Sequence, residues 1–224
     1  MSDRTVGVEA SKQERGNAAA TLIGFAITFG LAYAVIRYHV AGPVPLRDFP
    51  LFVLYKALSL SAFVLLFFNF SFGPLANLGL SVPARWLDAR KAVGMTGFLL
   101  VLIHALLSFL LFTPAVYAKF FTPEGGPTAL AGWSMLAGVL AFVFLWAYNL
   151  SFQSHLRDDA RFIQAITSRR VLLVALILGG VHLFLMGFEG WLDPSGWHGG
   201  MPPISLVAFA LFVVGYGANL AGRE

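Results

Sequence analysis

Cysteine and charge are what this sequence lacks. None of its 224 residues is Cys, which excludes disulfides, thiolate metal sites, iron–sulfur clusters and cysteine nucleophiles. Charged residues make up 12% of the chain and hydrophobic residues 58%, whereas a water-soluble domain is typically about 25% charged. We therefore expect a membrane protein in which most of the chain spans the bilayer, with no room for a soluble catalytic domain.

The basic residues are few, although they outnumber the acidic ones. The net charge is +4 at pH 7, and an excess of positive charge is also typical of nucleic-acid-binding proteins. Here the Lys and Arg residues are scattered between apolar blocks, as signals that orient a protein in the membrane are. We predict contact with membrane lipids and no nucleic-acid partner.

Six apolar stretches are long enough for transmembrane helices, which need about 20 residues each. Turn-forming and charged residues separate them. The apolar runs are continuous and too long for the alternating strands of a membrane barrel. The sequence therefore predicts an all-α membrane protein, a bundle of six transmembrane helices at Ala18–Tyr38, Leu51–Phe72, Ala92–Phe112, Gly132–Phe152, Val171–Phe188 and Pro203–Leu220.

The distribution of Lys and Arg predicts the orientation of these spans. With the N-terminus inside, all but four of the 15 basic residues lie on the cytoplasmic side; the four are Arg37, Arg47, Lys56 and Lys119. The positive-inside rule then places both termini in the cytoplasm. We expect a cytoplasmic tail at residues 1–17, a transmembrane domain at 18–220 and a cytoplasmic end at 221–224, in a multi-pass protein of the bacterial inner membrane.

His104 and His182 are the two histidines inside the predicted spans. Ionisable residues at membrane depth are rare and mark candidate functional sites. The third and fifth spans run in the same direction, and each histidine lies 13 residues after a basic residue at the cytoplasmic end, Lys91 or Arg169. At 1.5 Å per residue, both rings lie about 20 Å from that end, at one height in the outer half of the bilayer.

Two neutral imidazoles at one height can bind a haem iron from opposite faces. Two small residues, Gly179 and Gly180, lie just before His182. They would let a porphyrin approach the helix backbone. A single buried metal ion is a second interpretation, but neither span has an acidic residue to complete its coordination. The simplest interpretation of each histidine alone is a neutral ring hydrogen-bonded to another helix.

Lys56 is the other ionisable residue near membrane depth. The second span runs inwards, so Lys56 lies about one turn below the outer surface, near the level that haem propionates would reach. It is a candidate for contact with a propionate or with a quinone headgroup. The alternative is a side chain that extends to the membrane interface without a ligand.

Several short motifs resemble the ferric-reductase-like transmembrane domain family. Arg90-Lys91-Ala92-Val93-Gly94 opens the third span and leads to His104, and the second span has Lys56 near its start and Pro74-Leu75-Ala76 near its end. The chain is most similar to the haem-binding membrane subunits of bacterial periplasmic methionine sulfoxide reductase systems. In these, the fifth span ends in a haem-ligating histidine at the position of His182.

The resemblance covers residues 51–188 and implies a single haem. Family members with two haems have a second histidine about 13 or 14 residues before each outer ligand. In this chain those positions hold Arg90 or Lys91, and Ser168 or Arg169. Because cationic side chains cannot be axial ligands at neutral pH, the resemblance implies one haem b, with His104 and His182 as its iron ligands.

The sequence as a whole predicts a membrane b-type cytochrome-like subunit that passes electrons between the quinone pool and a partner protein. No catalytic residue is predicted, and whether the chain is an enzyme stays open: it fits an oxidoreductase subunit that needs a partner for substrate chemistry. The alternative is a haem-free accessory or scaffold subunit of a larger membrane complex. A transporter ranks third, since the spans lack buried carboxylates and paired broken helices.

Overall fold

Helices form almost all of the protein. The computed structural model describes residues 2–152 and 160–222, except the side chains of residues 2–12 and 160. His155 and the last two residues of the predicted cytoplasmic end lie outside this part. Within the described part there is no strand, and the α-helices are α1 (Ser2–Val35), α2 (Leu54–Asn77), α3 (Ala84–Leu111), α4 (Ala129–Leu150), α5 (Ala160–Ile166), α6 (Arg169–Trp191) and α7 (Ile204–Ala221).

Six helical stretches of the described chain are long and apolar enough to cross a membrane. They correspond one to one with the six predicted spans, which confirms the all-α bundle. The protein is therefore a multi-pass membrane protein. The stretches are Gln13–Val40, Leu46–Asn77, Ala84–Leu111, Ala129–Leu150, Arg169–Trp191 and His198–Ala221.

The helices extend beyond the apolar runs that predicted them. Helix α1 begins at Ser2, so the segment predicted as a tail is helical. Helix α3 begins at Ala84, before the predicted start at Ala92. Polar residues can continue a helix at little cost once its backbone hydrogen bonds are formed. Hydropathy marks the apolar core of a span and leaves such extensions undetected.

The first two spans each contain a π-helical turn at the predicted outer end. Helix α1 continues into the π-helical segment Ile36–Val40, and a second such segment, Phe49–Val53, leads into α2. The Tyr38 and Phe52 rings of these two turns meet edge to face, with centroids 5.1 Å apart. π-Helical turns are rare and frequently lie at functional sites.

Helix α2 is the central element of the bundle. It packs against α1, α3 and α7, whereas α6 packs mainly against α4 and α7. Helix α3 makes few contacts with α4. The bundle therefore has two groups, α1–α3 and α4 with α6, and α7 packs against both α2 and α6. One predicted histidine lies in each group, His104 in α3 and His182 in α6.

Candidate functional site

The His182 ring is oriented by helix α4. Its Nδ1 lies 2.9 Å from the backbone oxygen of Ser134 and 3.3 Å from the hydroxyl of the same residue. A carbonyl oxygen only accepts, so Nδ1 carries the proton and Nε2 keeps its lone pair. In the described part of the chain, Nε2 has no hydrogen-bond partner. This tautomer, with Nδ1–H bonded to a carbonyl, is the usual one for a histidine that binds a metal through Nε2.

A glycine on α4 provides the space for this ring. A Cβ atom at Gly138 would lie 2.8 Å from His182 Nδ1, too close for an ordinary contact. Gly138 lies one helical turn after Ser134, so both residues are on the same face of α4. Gly138 is not among the residues predicted from the sequence, although Ser134 and Gly138 form a pair of small residues with i, i+4 spacing, which is typical of closely packed membrane helices.

The His104 ring is held by stacking on Tyr55 of α2. The two ring centroids are 4.9 Å apart and their planes are 19° from parallel. The Ser108 hydroxyl donates to the His104 backbone oxygen at 2.6 Å. Because this uses the one serine proton, the Tyr55 hydroxyl, 2.6 Å away, donates to Ser108. Two hydrogen bonds thus keep the Tyr55 ring in place over His104.

His104 differs from His182 in its hydrogen bonding. Its Nδ1 is buried and has no partner in the described part of the protein. A buried polar group without a partner costs about 1–3 kcal/mol. Such an atom is more often found where a ligand or an ordered water completes the site.

The structure brings together three of the residues predicted for the site. His104 lies within electrostatic reach of both His182 and Lys56. Helices α3 and α6 nevertheless pack mainly against other helices. The two imidazoles therefore lie in one region of the bundle, on helices that pack mainly against other neighbours.

The two predicted glycines, Gly179 and Gly180, lie on different faces of α6. Gly180 packs against the Phe212 ring of α7. A Cβ atom at Gly179 would meet no atom within 4 Å, and this residue shares a face with His182, three positions later. A helix turns about 100° per residue, so the two adjacent glycines face different neighbours. Gly180 lies at the contact between α6 and α7, and the space beside Gly179 is open.

Lys56 is surrounded by aromatic rings. Its Nζ lies 5.5, 5.4 and 5.1 Å from the ring centroids of Phe52, Tyr55 and Tyr117. It donates a long hydrogen bond of 3.5 Å to the Tyr117 hydroxyl. Burial raises the pKa of Tyr117, so this hydroxyl stays protonated and supplies no negative charge.

Arg37 is a buried cation. From the sequence it was used only to predict the orientation of the spans in the membrane. Its side chain is 4% exposed. Its Nε donates to the Pro202 backbone oxygen at 2.9 Å, an oxygen that also accepts from the Tyr33 hydroxyl. One terminal nitrogen of the guanidinium is buried without a partner. The sequence could have indicated Arg37 as a candidate site residue, because it is an ionisable residue inside the predicted first span.

At the opposite end of the bundle, two arginines donate hydrogen bonds to backbone oxygens of neighbouring helices. Arg90 donates to the Asn69 backbone oxygen at 2.8 Å. Arg169 donates to the Asn219 backbone oxygen, also at 2.8 Å, at the end of α7. These hydrogen bonds fasten the helices to one another.

No protein-family model matches the chain, and no curated protein matches it in sequence. Among the described residues, no group of three or more His, Asp or Glu side chains is arranged to hold a metal ion. His104, His182 and the side chains around them therefore form the candidate functional site.

Proposed function

We propose that the protein is a b-type cytochrome-like membrane subunit with one haem between α3 and α6. The observation that carries this proposal is the His182 tautomer: Nδ1–H is fixed to Ser134, and Nε2 remains available within reach of a second imidazole. Two side chains suffice for such a site, because a porphyrin supplies four further nitrogen ligands itself.

Two observations on the chain fit a haem at this place. Gly179 leaves open space on the histidine side of α6. Helices α3 and α6 pack mainly against other neighbours, although His104 and His182 are close enough to interact.

A bound haem would supply a one-electron carrier within the membrane. The residues of the chain would tune it: His104 and His182 hold the iron, Ser134 fixes one ring, Tyr55 packs against the other, and the apolar helices exclude water. The motifs that resemble the ferric-reductase-like family support the same role. We therefore infer electron transfer between the quinone pool and a partner protein, at the outer half of a bacterial inner membrane.

An absorption spectrum tests the proposal directly. Protein purified from haem-replete cells should show a Soret band that shifts on reduction. The band should be lost in His104→Ala and His182→Ala and kept in His198→Ala, which changes a histidine of the outer loop. A colourless wild-type protein that also binds no added haem would overturn the proposal and favour the haem-free scaffold subunit.

A further inference from the structure

Two cations at the outer end of the bundle have no anionic partner. Arg37 is 4% exposed and has a buried terminal nitrogen without a hydrogen bond. Lys56 is half-buried, and its Nζ contacts aromatic rings and one neutral hydroxyl. Across the described residues, Arg47–Asp48 is the only ion pair. Buried charges are costly unless they are paired, so this end of the bundle needs an anion.

Arg37 and Lys56 belong to one aromatic layer. The Arg37 guanidinium carbon lies 5.0 Å from the Tyr38 ring centroid, and Tyr38 in turn packs on Phe52. Phe52 is also one of the rings around Lys56. The two cations lie within electrostatic reach of each other. The Pro202 backbone oxygen accepts only from Nε of Arg37, and the buried terminal nitrogen has no hydrogen-bond partner.

Lys119 is nearby but is already engaged. Its Nζ donates to the Met186 backbone oxygen, and it packs over the Phe120 ring at 4.9 Å. Glu189 lies within electrostatic reach of it. Lys119 is also exposed. It therefore does not need a further anion, in contrast to Arg37 and Lys56.

We infer that Arg37 and Lys56 form one anion-binding site that takes the two propionate carboxylates of the haem. This inference rests on the proposed function. Two unpaired cations match two carboxylates in charge. A ligand at His104 lies beside this layer, because Tyr55 stacks on His104 with centroids 4.9 Å apart and its ring centroid is 5.4 Å from Lys56 Nζ. Arg37 is thus a binding residue that extends the site from α3 and α6 to the π-helical end of the first span.

Esterified haem tests the inference on the unaltered protein. Apoprotein in nanodiscs of neutral phosphatidylcholine is titrated with iron protoporphyrin IX and with its dimethyl ester, and the Soret absorbance is followed. We expect the ester to bind about 10- to 100-fold more weakly, as the loss of a hydrogen bond to a charged group predicts. Equal affinity for the two forms overturns the inference and leaves the proposed function intact. Binding of neither form overturns the proposed function itself.

Variants locate the effect. Arg37→Gln and Lys56→Met should each weaken binding of the free acid about 10-fold or more and change binding of the ester little. Arg47→Gln removes an exposed cation from the same end and should leave both affinities unchanged. If Arg37→Gln fails to fold because the Pro202 oxygen loses one of its two donors, the Lys56→Met variant and the ester comparison still test the inference.

Anionic lipid is the other source of a negative group at this level. Phosphatidylglycerol added to the nanodiscs should leave the affinity for iron protoporphyrin IX unchanged. A loss of affinity with added phosphatidylglycerol, together with equal binding of acid and ester, would assign the Arg37–Lys56 site to a lipid phosphate and overturn the propionate assignment.

Discussion

Small residues control how closely side chains approach the candidate site. On α4, Gly138 faces the His182 ring, whereas Gly132 meets no atom within 4 Å of an added Cβ. The two glycines share a helix and differ in their surroundings, so they separate the effect of the imidazole contact from the effect of changing a glycine in a helix.

Gly138→Ala should displace the His182 ring and weaken its hydrogen bond to Ser134. Overpacking of this kind costs about 1–3 kcal/mol of stability, and we also expect the haem content to fall. Thermal unfolding in detergent and a pyridine haemochrome assay measure the two effects. Gly132→Ala is the matched control and should be neutral or slightly stabilising, because Ala favours helix over Gly. Equal effects of the two changes would contradict the packing argument.

Tyr55 combines a ring and a hydroxyl with separable roles. Tyr55→Phe keeps the stacking on His104 and loses the bond to Ser108, at a cost of about 1 kcal/mol. Tyr55→Ala also loses the buried ring, for which about 3–5 kcal/mol is expected. Unfolding free energies of the two variants, measured without haem, check this order. A Phe variant as unstable as the Ala variant would show that the hydroxyl dominates.

At the scale of elements, α1 and α2 approach closely because α1 has a glycine at their contact. A Cβ atom at Gly30 would lie 2.8 Å from the Ala57 backbone oxygen and also against the Ser61 hydroxyl. Helices in a bilayer associate through such close packing, since the lipid is as apolar as their side chains. Gly24, on the same helix, faces open space.

Gly30→Leu should therefore separate α1 from α2 and destabilise the bundle, by at least the 1–3 kcal/mol typical of overpacking. Gly24→Leu adds the same side chain where there is room and should leave stability nearly unchanged. Unfolding midpoints in detergent distinguish them. If Gly24→Leu proved the more harmful change, the assigned contact between α1 and α2 would be wrong.

The sequence predicted the helical spans better than the contacts between the helices. Six spans follow from apolar length, which the bilayer thickness imposes on any such chain. The short helix α5 and the two π-helical turns depend on local backbone packing that hydropathy does not record. The ionisable residues His104, His182 and Lys56 could be found because charge is rare at membrane depth. Gly138 was missed because its role depends on which helix faces α6.

At the scale of the whole molecule, the six spans of the described chain put the start of α1 and the end of α7 on the same side of the membrane. Arg90 and Arg169 lie at one end of the bundle, and Lys56 and Lys119 lie at the other. The excess of basic residues at the first end predicts that this end faces the cytoplasm.

The absence of cysteine makes this orientation easy to test. Ser81 and Ser195 are exposed at opposite ends of the bundle, and a cysteine at either position would be the only one in the chain. In spheroplasts, a membrane-impermeant maleimide should label Ser195→Cys at once and Ser81→Cys only after lysis. The cysteine-free wild type is the control, and the reverse pattern would invert the assigned topology.

The two π-helical turns have a consequence for insertions and deletions. A π-turn contains about one residue more than an α-helical turn. Deleting one residue from Ile36–Val40 or Phe49–Val53 would restore α-helical winding and rotate the chain beyond it by about 100°. Tyr38 and Phe52 would then face different neighbours, while the membrane length of each span would hardly change. In these two segments, the number of residues determines how the following chain is rotated about the helix axis and hardly affects the length of the span.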